Sequence, residues 1–156
     1  MALYTLVTEQ KIPSSIQVLW DFISSPENLK KITPDYMGFD IVTKNLPQKI
    51  YPGIIIAYDV KPFMGIKMRW VSEITHVIER EYFVDEQRSG PYKFWHHQHH
   101  IQPIEGGVLM TDVVNYQPPF GFIPRIANTL LIKNQLKEIF DFRTKKLEEL
   151  FGKFLA

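Results

Sequence analysis

The chain has 156 residues, 45% hydrophobic and 22% charged, the size and composition of one globular domain with its own core rather than of a disordered or fibrous chain. Lys and Arg number 18 and Asp and Glu 17, a formal charge of +1. That is too little for the electrostatic field on which nucleic acid or anionic membrane binding draws, and the absence of cysteine excludes a disulfide framework, a thiol nucleophile and a cysteine-based zinc site.

Met1-Ala2-Leu3-Tyr4-Thr5 has no basic stretch leading into an apolar run, and no window approaches ~18 uncharged apolar residues; a cytoplasmic, unanchored domain over residues 1–156 is expected. Leu3 to Ile12 alternates loosely and favours a strand. Pro13-Ser14-Ser15 then offers a hydroxyl cap to a short helix carrying Ile16, Val18, Leu19, Phe22 and Ile23. A second helical piece starts at Ser25-Pro26, with proline at its first position, and ends at Thr33-Pro34. Phe39 to Lys44 and Gly53 to Lys61 are β-branched or aromatic runs separated by a loop with Pro47 and Pro52. Ile66 to Ile78, Glu81 to Ser89, Tyr92 to Pro103 and Val108 to Gln117 follow at hairpin spacing, divided by Glu79-Arg80, Gly90-Pro91 and Glu105-Gly106-Gly107. After Pro118-Pro119 the period changes: Ile126, Leu130, Leu131, Ile139, Phe140, Leu147, Leu150, Phe151 and Phe154 recur at three- and four-residue steps, which predicts one long C-terminal helix. The expected class is α+β, in the order β-αα-β6-α, with a curved antiparallel sheet wrapped on that helix.

Chemistry concentrates in Tyr92 to His100, which holds four of the five histidines. On a strand, where side chains alternate, Trp95, His97, His99 and Ile101 share one face and Phe94, His96, Gln98 and His100 the other. Matching parity brings Phe83, Asp85 and Gln87 from the preceding strand and Met110, Asp112, Val114 and Tyr116 from the following one to the first face. His96 and His100 are expected to be spectators on the opposite face.

The run Phe83-x-Asp85-x-Gln87-x-x-Gly90-Pro91-Tyr92-x-x-Trp95-x-His97-x-His99, followed by Gly106-Gly107-x-x-Met110-x-Asp112-x-Val114-x-Tyr116-x-x-Pro119, resembles a bacterial branch of the START-like, helix-grip (SRPBCC) superfamily. That grouping includes lipid-transfer START domains, the major pollen allergen type of plant protein, and polyketide cyclases and aromatases. The resemblance covers the whole chain. It implies a seven-stranded sheet and a long helix enclosing a deep cavity for apolar or aromatic molecules. Two departures stand out: Asn45 to Gly53 lacks the plant-type glycine-rich loop, and Ile101 stands where the branch favours an aromatic residue.

Apolar walls with a few convergent polar groups are the mark of a small-molecule cavity. The walls are expected to be Trp70, Phe83, Trp95, Met110 and Tyr116, and the orienting groups Asp85, Gln87, His97, His99 and Asp112. The favoured function is a non-enzymatic binding or carrier domain for a small hydrophobic or aromatic ligand, monomeric or homodimeric, with no cofactor and no metal. A cyclase, aromatase or dehydratase using His97 and His99 as acid–base groups is one alternative, and a protein-interaction module without a ligand is another. The same residues also read as a cross-strand ladder that satisfies its own polar groups, or, with Asp85 or Asp112, as a nitrogen and oxygen ligand set for zinc or iron. Asp35 to Phe39 is either a cavity rim or an ordinary helix exit, Pro62-Phe63-Met64-Gly65 a hairpin tip that serves as cavity lip or dimer contact, and Pro118 to Pro124 a gate or a structural corner filled by Phe120 and Phe122. Arg143, between Phe140 and Leu147 on the helix, either snorkels or meets Asp85 or Asp112.

Overall fold

The computed structural model describes residues 3–118 and 125–155. Strand β1 (Tyr4–Ile12) leads into helix α1 (Ile16–Ile23), where the Ser15 hydroxyl accepts the Val18 N–H at 3.3 Å as a side-chain cap. The second helical piece, Pro26–Ile32, is a 3-10 helix that lacks a side-chain cap from Ser25, and a single 3-10 turn follows at Asp35–Met37. The sheet then runs through β2 (Asp40–Ile41), β3 (Ile55–Phe63), β4 (Ile66–Ile78), β5 (Tyr82–Ser89), β6 (Phe94–Ile104) and β7 (Gly107–Gln117), and the chain ends on helix α2 (Arg125–Phe151).

All seven strands form one antiparallel sheet in the order β1-β7-β6-β5-β4-β3-β2, so the first strand closes against the last and the meander fills the rest. The pairing of β4 with β5 shifts register twice, with Arg88 extra on β5 opposite Val71 and Ser72 and Thr75 extra on β4 between Ile74 and His76, and each inserted residue bends its strand and raises the local twist. The result is the helix-grip arrangement, a curved sheet around α2.

Three elements differ from the sequence expectation for local reasons. The predicted Phe39 to Lys44 strand shrinks to two residues because Val42 and Thr43 N–H groups both turn to the Ala57 carbonyl, while the Thr43 hydroxyl accepts the Ala57 N–H at 2.7 Å in place of a ladder bond. Tyr92 and Lys93 fall outside β6, in the turn that Gly90-Pro91 opens. Helix α2 stops at Phe151 because Gly152 adopts φ +92, so Phe154 lies beyond the helix, its ring under the Lys11 ammonium at 5.7 Å.

The buried face of α2 is narrower than the apolar count implied. Ile132, Leu136, Phe140, Arg143 and Leu147 are buried, while Leu130, Leu131 and Leu150 are at least half exposed. Steps of four, four, three and four residues form one stripe, and Leu130 and Leu131 lie to either side of it. An arginine therefore occupies a core position. Two packed clusters result: one of Ile12, Leu19, Trp20, Ile56, Val60 and Leu147 with their neighbours, and one of Tyr92, Trp95, Val114, Tyr116, Ile132 and Phe140.

The junction of β1 with β7 is close. A Cβ at Gly107 would stand 2.1 Å from the Ile12 carbonyl oxygen, a backbone atom with no room to yield. Gly107→Ala is expected to destabilise at the upper end of the ~1–3 kcal/mol range for overpacking, read from urea unfolding followed by tryptophan fluorescence.

Candidate functional site

Antiparallel register carries the four central residues together. Asp85 pairs with His97 across β5 and β6, and His99 with Asp112 across β6 and β7, so alternation puts all four side chains on the concave face. His97 Nε2 donates to Asp112 Oδ1 at 2.7 Å, and His99 Nε2 to Asp85 Oδ2 at 2.7 Å. The remaining ring nitrogens close a box: His99 Nδ1 lies 3.1 Å from Asp112 Oδ1, and His97 Nδ1 3.4 Å from Asp85 Oδ2. The imidazoles lie face to face with centroids 3.7 Å apart, and Phe83 stacks on His99 at 4.0 Å. Trp95 Nε1 donates to Asp85 Oδ1 at 3.3 Å, and Arg143 Nη1 from α2 reaches Asp112 Oδ1 at 3.4 Å.

Protons in this box follow from geometry and burial. Ionised carboxylates only accept, and His99 sits between two of them, its Nε2 at 2.7 Å from Asp85 and its Nδ1 at 3.1 Å from Asp112, an arrangement that favours the imidazolium form. Burial lowers the His99 pKa, but its hydrogen bonds to Asp112 and Asp85 outweigh that and raise it. His97 has one short contact and one long one. Burial and the neighbouring His99 charge push it down to about 4 against the pull of the two carboxylates, so it is neutral at pH 7. Burial raises both carboxyls, but His97 and His99 hold Asp85 below its usual range, and the two histidines with Arg143 do the same more strongly for Asp112. Two carboxylates then face one guanidinium and one imidazolium, and the buried charge sums to zero, as a low dielectric demands.

One side of the box opens on a cavity of about 150 Å³ between sheet and helix. Asp85, His97, His99 and Arg143 line one part of it. The other walls come from Ile56, Tyr58 and Val60 on β3, Trp70 and Ile74 on β4, Phe83, Trp95 and Met110, Phe140 on α2, and Phe22, Leu29, Met37 and Phe39 from the helical corner. The Tyr58 hydroxyl is raised by burial and by the Asp85 charge.

A family model described as "Polyketide cyclase / dehydrase and lipid transport" matches residues 12–154. The chain belongs to this family. No curated protein matches the sequence. Among solved structures, a protein from Chromobacterium violaceum is similar over 96% of this chain and 99% of its own, at 15% identity and TM-score 0.69. A START superfamily protein from Mycobacterium smegmatis is similar over 95% and 98%, at 12% identity and TM-score 0.65. A protein from Thermus thermophilus is similar over 94% and 95%, at 16% identity and TM-score 0.66. At these identities the likeness is one of fold.

Of the family member's expected site residues, Trp70, Phe83, Asp85, Trp95, His97, His99 and Met110 line the cavity. Asp112 stands behind the histidines and braces both. Gln87 and Tyr116 go elsewhere. The Gln87 amide is spent on the Gly90-Pro91 turn, with Nε2 donating to the Tyr92 carbonyl at 2.6 Å and Oε1 accepting the Tyr92 N–H at 3.1 Å. It packs so closely that a Cβ at Gly90 would meet Oε1 at 2.5 Å. Tyr116 is buried in the second cluster, stacked on Tyr4 at 5.7 Å. His96 and His100 lie on the other face and only half-buried, near Glu86 and against Tyr82.

Met37 and Phe39 from the Asp35 to Phe39 stretch do line the cavity, as does Pro62, whose carbonyl accepts a hydrogen bond from Gln135 on α2. Met64, at the tip of that hairpin, is 94% exposed. Apart from Pro118, the proposed gate at Pro118 to Pro124 lies outside the described residues. Sequence reading missed the β3 wall of Ile56, Tyr58 and Val60, whose shared parity shows against Asp59 and Lys61 but is blurred by apolar Ile55 and Ala57 between them.

Proposed function

We propose that this protein binds a small, largely apolar molecule between its sheet and α2, with the aspartate–histidine box as the polar end that orients it. The observation that carries this reading is the hollow itself. Left empty, about 150 Å³ of missing packing costs roughly 3–4 kcal/mol, a loss that a filled core would avoid and that an occupant recovers. In size it suits a body of about one aromatic ring.

Ile74 forms part of the wall and is 5% exposed, so Ile74→Phe is expected to fill the space. Ligand-observed NMR with indole as probe should give a dissociation constant below ~1 mM for the wild type, weakened about tenfold or more in the variant while the melting temperature holds or rises. Binding that is untouched by Ile74→Phe, or absent from the wild type, would reject the reading.

The imidazolium at His99, which borders the hollow, favours one second reading, an acid–base enzyme of the cyclase, aromatase or dehydratase kind in which His99 delivers a proton. Turnover of an aromatic polyketide surrogate, lost in His99→Gln with binding retained, would distinguish it from carriage.

A further inference from the structure

Arg143 is the cavity group whose donors the fold leaves short of acceptors. Its side chain is 9% exposed and lines the hollow. A guanidinium has five N–H donors and no acceptor. Among the described residues Nη1 has only Asp112 Oδ1, at 3.4 Å, long for a charge-assisted bond, and Nε is buried without any partner. The Phe140 ring packs at 4.7 Å from the guanidinium carbon and accepts no hydrogen bond in the plane.

The neighbouring carboxylates do not make up the shortfall as they are seated, since Arg143 reaches only Asp112 Oδ1 among them. Asp112 Oδ1 already takes His97 at 2.7 Å and His99 at 3.1 Å, and Asp85 takes His99 and Trp95. The other titratable side chains on the cavity wall are the Tyr58 and Tyr92 phenols, both pushed up by burial and un-ionised. A buried donor left unmade costs ~1–3 kcal/mol. The shape that answers a planar fork of N–H groups is a planar pair of oxygens.

We propose that the ligand is a small carboxylic acid, its apolar body about one ring in size, whose carboxylate pairs with Arg143 beside His97 and His99. The inference rests on the cavity-binding reading and narrows it to a class of compound. Because the box is already neutral, the acid enters with a proton, and His97 Nδ1, facing Asp85 at 3.4 Å, is placed to hold it. Mildly acidic conditions therefore favour binding.

Isothermal titration at pH 6 with 3-phenylpropanoate, 3-phenylpropan-1-ol and propylbenzene tests this on the intact protein. The acid is expected to bind about tenfold more tightly than the alcohol, a difference of ~1.4 kcal/mol. In Arg143→Met the preference should fall to within about twofold, and Arg143→Lys should keep part of it. Equal binding of acid and alcohol by the wild type overturns the acid proposal and leaves cavity binding standing. Failure of all three compounds overturns both. Should Arg143→Met not fold, the wild-type comparison and Arg143→Lys decide.

Discussion

Asp112→Ala lowers the unfolding free energy by about 3–5 kcal/mol at pH 7, the largest loss expected from any single polar side chain in this protein. Asp112 accepts from His97 at 2.7 Å, from His99 at 3.1 Å and from Arg143 at 3.4 Å, all through Oδ1. It is 4% exposed, so water cannot replace it. Its removal strands a guanidinium and an imidazolium that together face only Asp85, and an unpaired buried charge costs more than the pair it leaves had contributed. Asp85→Ala is expected to cost less, because the Asp85 side chain is 18% exposed against 5% for Asp112 and water can reach its former partners. Equilibrium urea unfolding, with m checked for constancy, measures both. A loss below ~1 kcal/mol for Asp112→Ala would mean that the box is not held as a charged network.

Acidification from pH 6.5 to pH 4 is expected to remove roughly 3 kcal/mol of stability through His97 alone, given a fall from the ordinary 6.5 to about 4 on folding. Between those values the unfolded chain protonates His97 and the folded chain does not, so protons favour unfolding and stability climbs as pH rises through the window. Asp85 and Asp112, both depressed, act in the same direction at lower pH. Their contribution is complete above the ordinary carboxylate range and disappears as pH falls through their folded values. His99, which is raised, has the opposite sign: its stabilisation is whole below the ordinary histidine value and is lost as pH climbs through its folded pKa. Stability should therefore peak near neutrality. Unfolding free energies at half-unit steps from about pH 4 to pH 8 trace this curve, and His97→Gln, which can still donate to Asp112, should flatten the acidic limb. Parallel limbs for variant and wild type would show that another group is responsible.

The box was legible before folding because its logic is local. Strands alternate with period 2, hairpin spacing makes consecutive strands antiparallel, and a one-residue slip would turn every core residue outward. Parity thus places Asp85, His97, His99 and Asp112 on one concave face, and the register agrees with it. The same parity could not foresee Gln87, because a side-chain amide chooses between the cavity and a nearby backbone according to turn geometry, and the Gly90-Pro91 turn brings the Tyr92 amide within 3.1 Å. Nor could it foresee Tyr116, whose inward face meets the second cluster and not the hollow. Parity names a face, not a depth along it.

Arg143 shows the limit for the helix. Three- and four-residue spacing predicted a long amphipathic helix, but its apolar residues include Leu130, Leu131 and Leu150, which point away from the sheet. Which stripe is buried depends on how α2 rolls against the sheet, and that is a property of packing. Spacing already put Arg143 between Phe140 and Leu147, either snorkelling or meeting Asp85 or Asp112; the rotation decides between these by burying it against Asp112 at 3.4 Å.

The sequence by itself determined the element order, the antiparallel meander and the union of two histidines with two aspartates, because short-range periodicity and turn chemistry act within a few residues. Tertiary structure alone decided the roll of α2, the bends in β4 and β5 and the size of the hollow they leave. It also decided the opposite directions in which two chemically identical histidines are pushed, His97 down and His99 up, through how the strands seat them between the same two carboxylates.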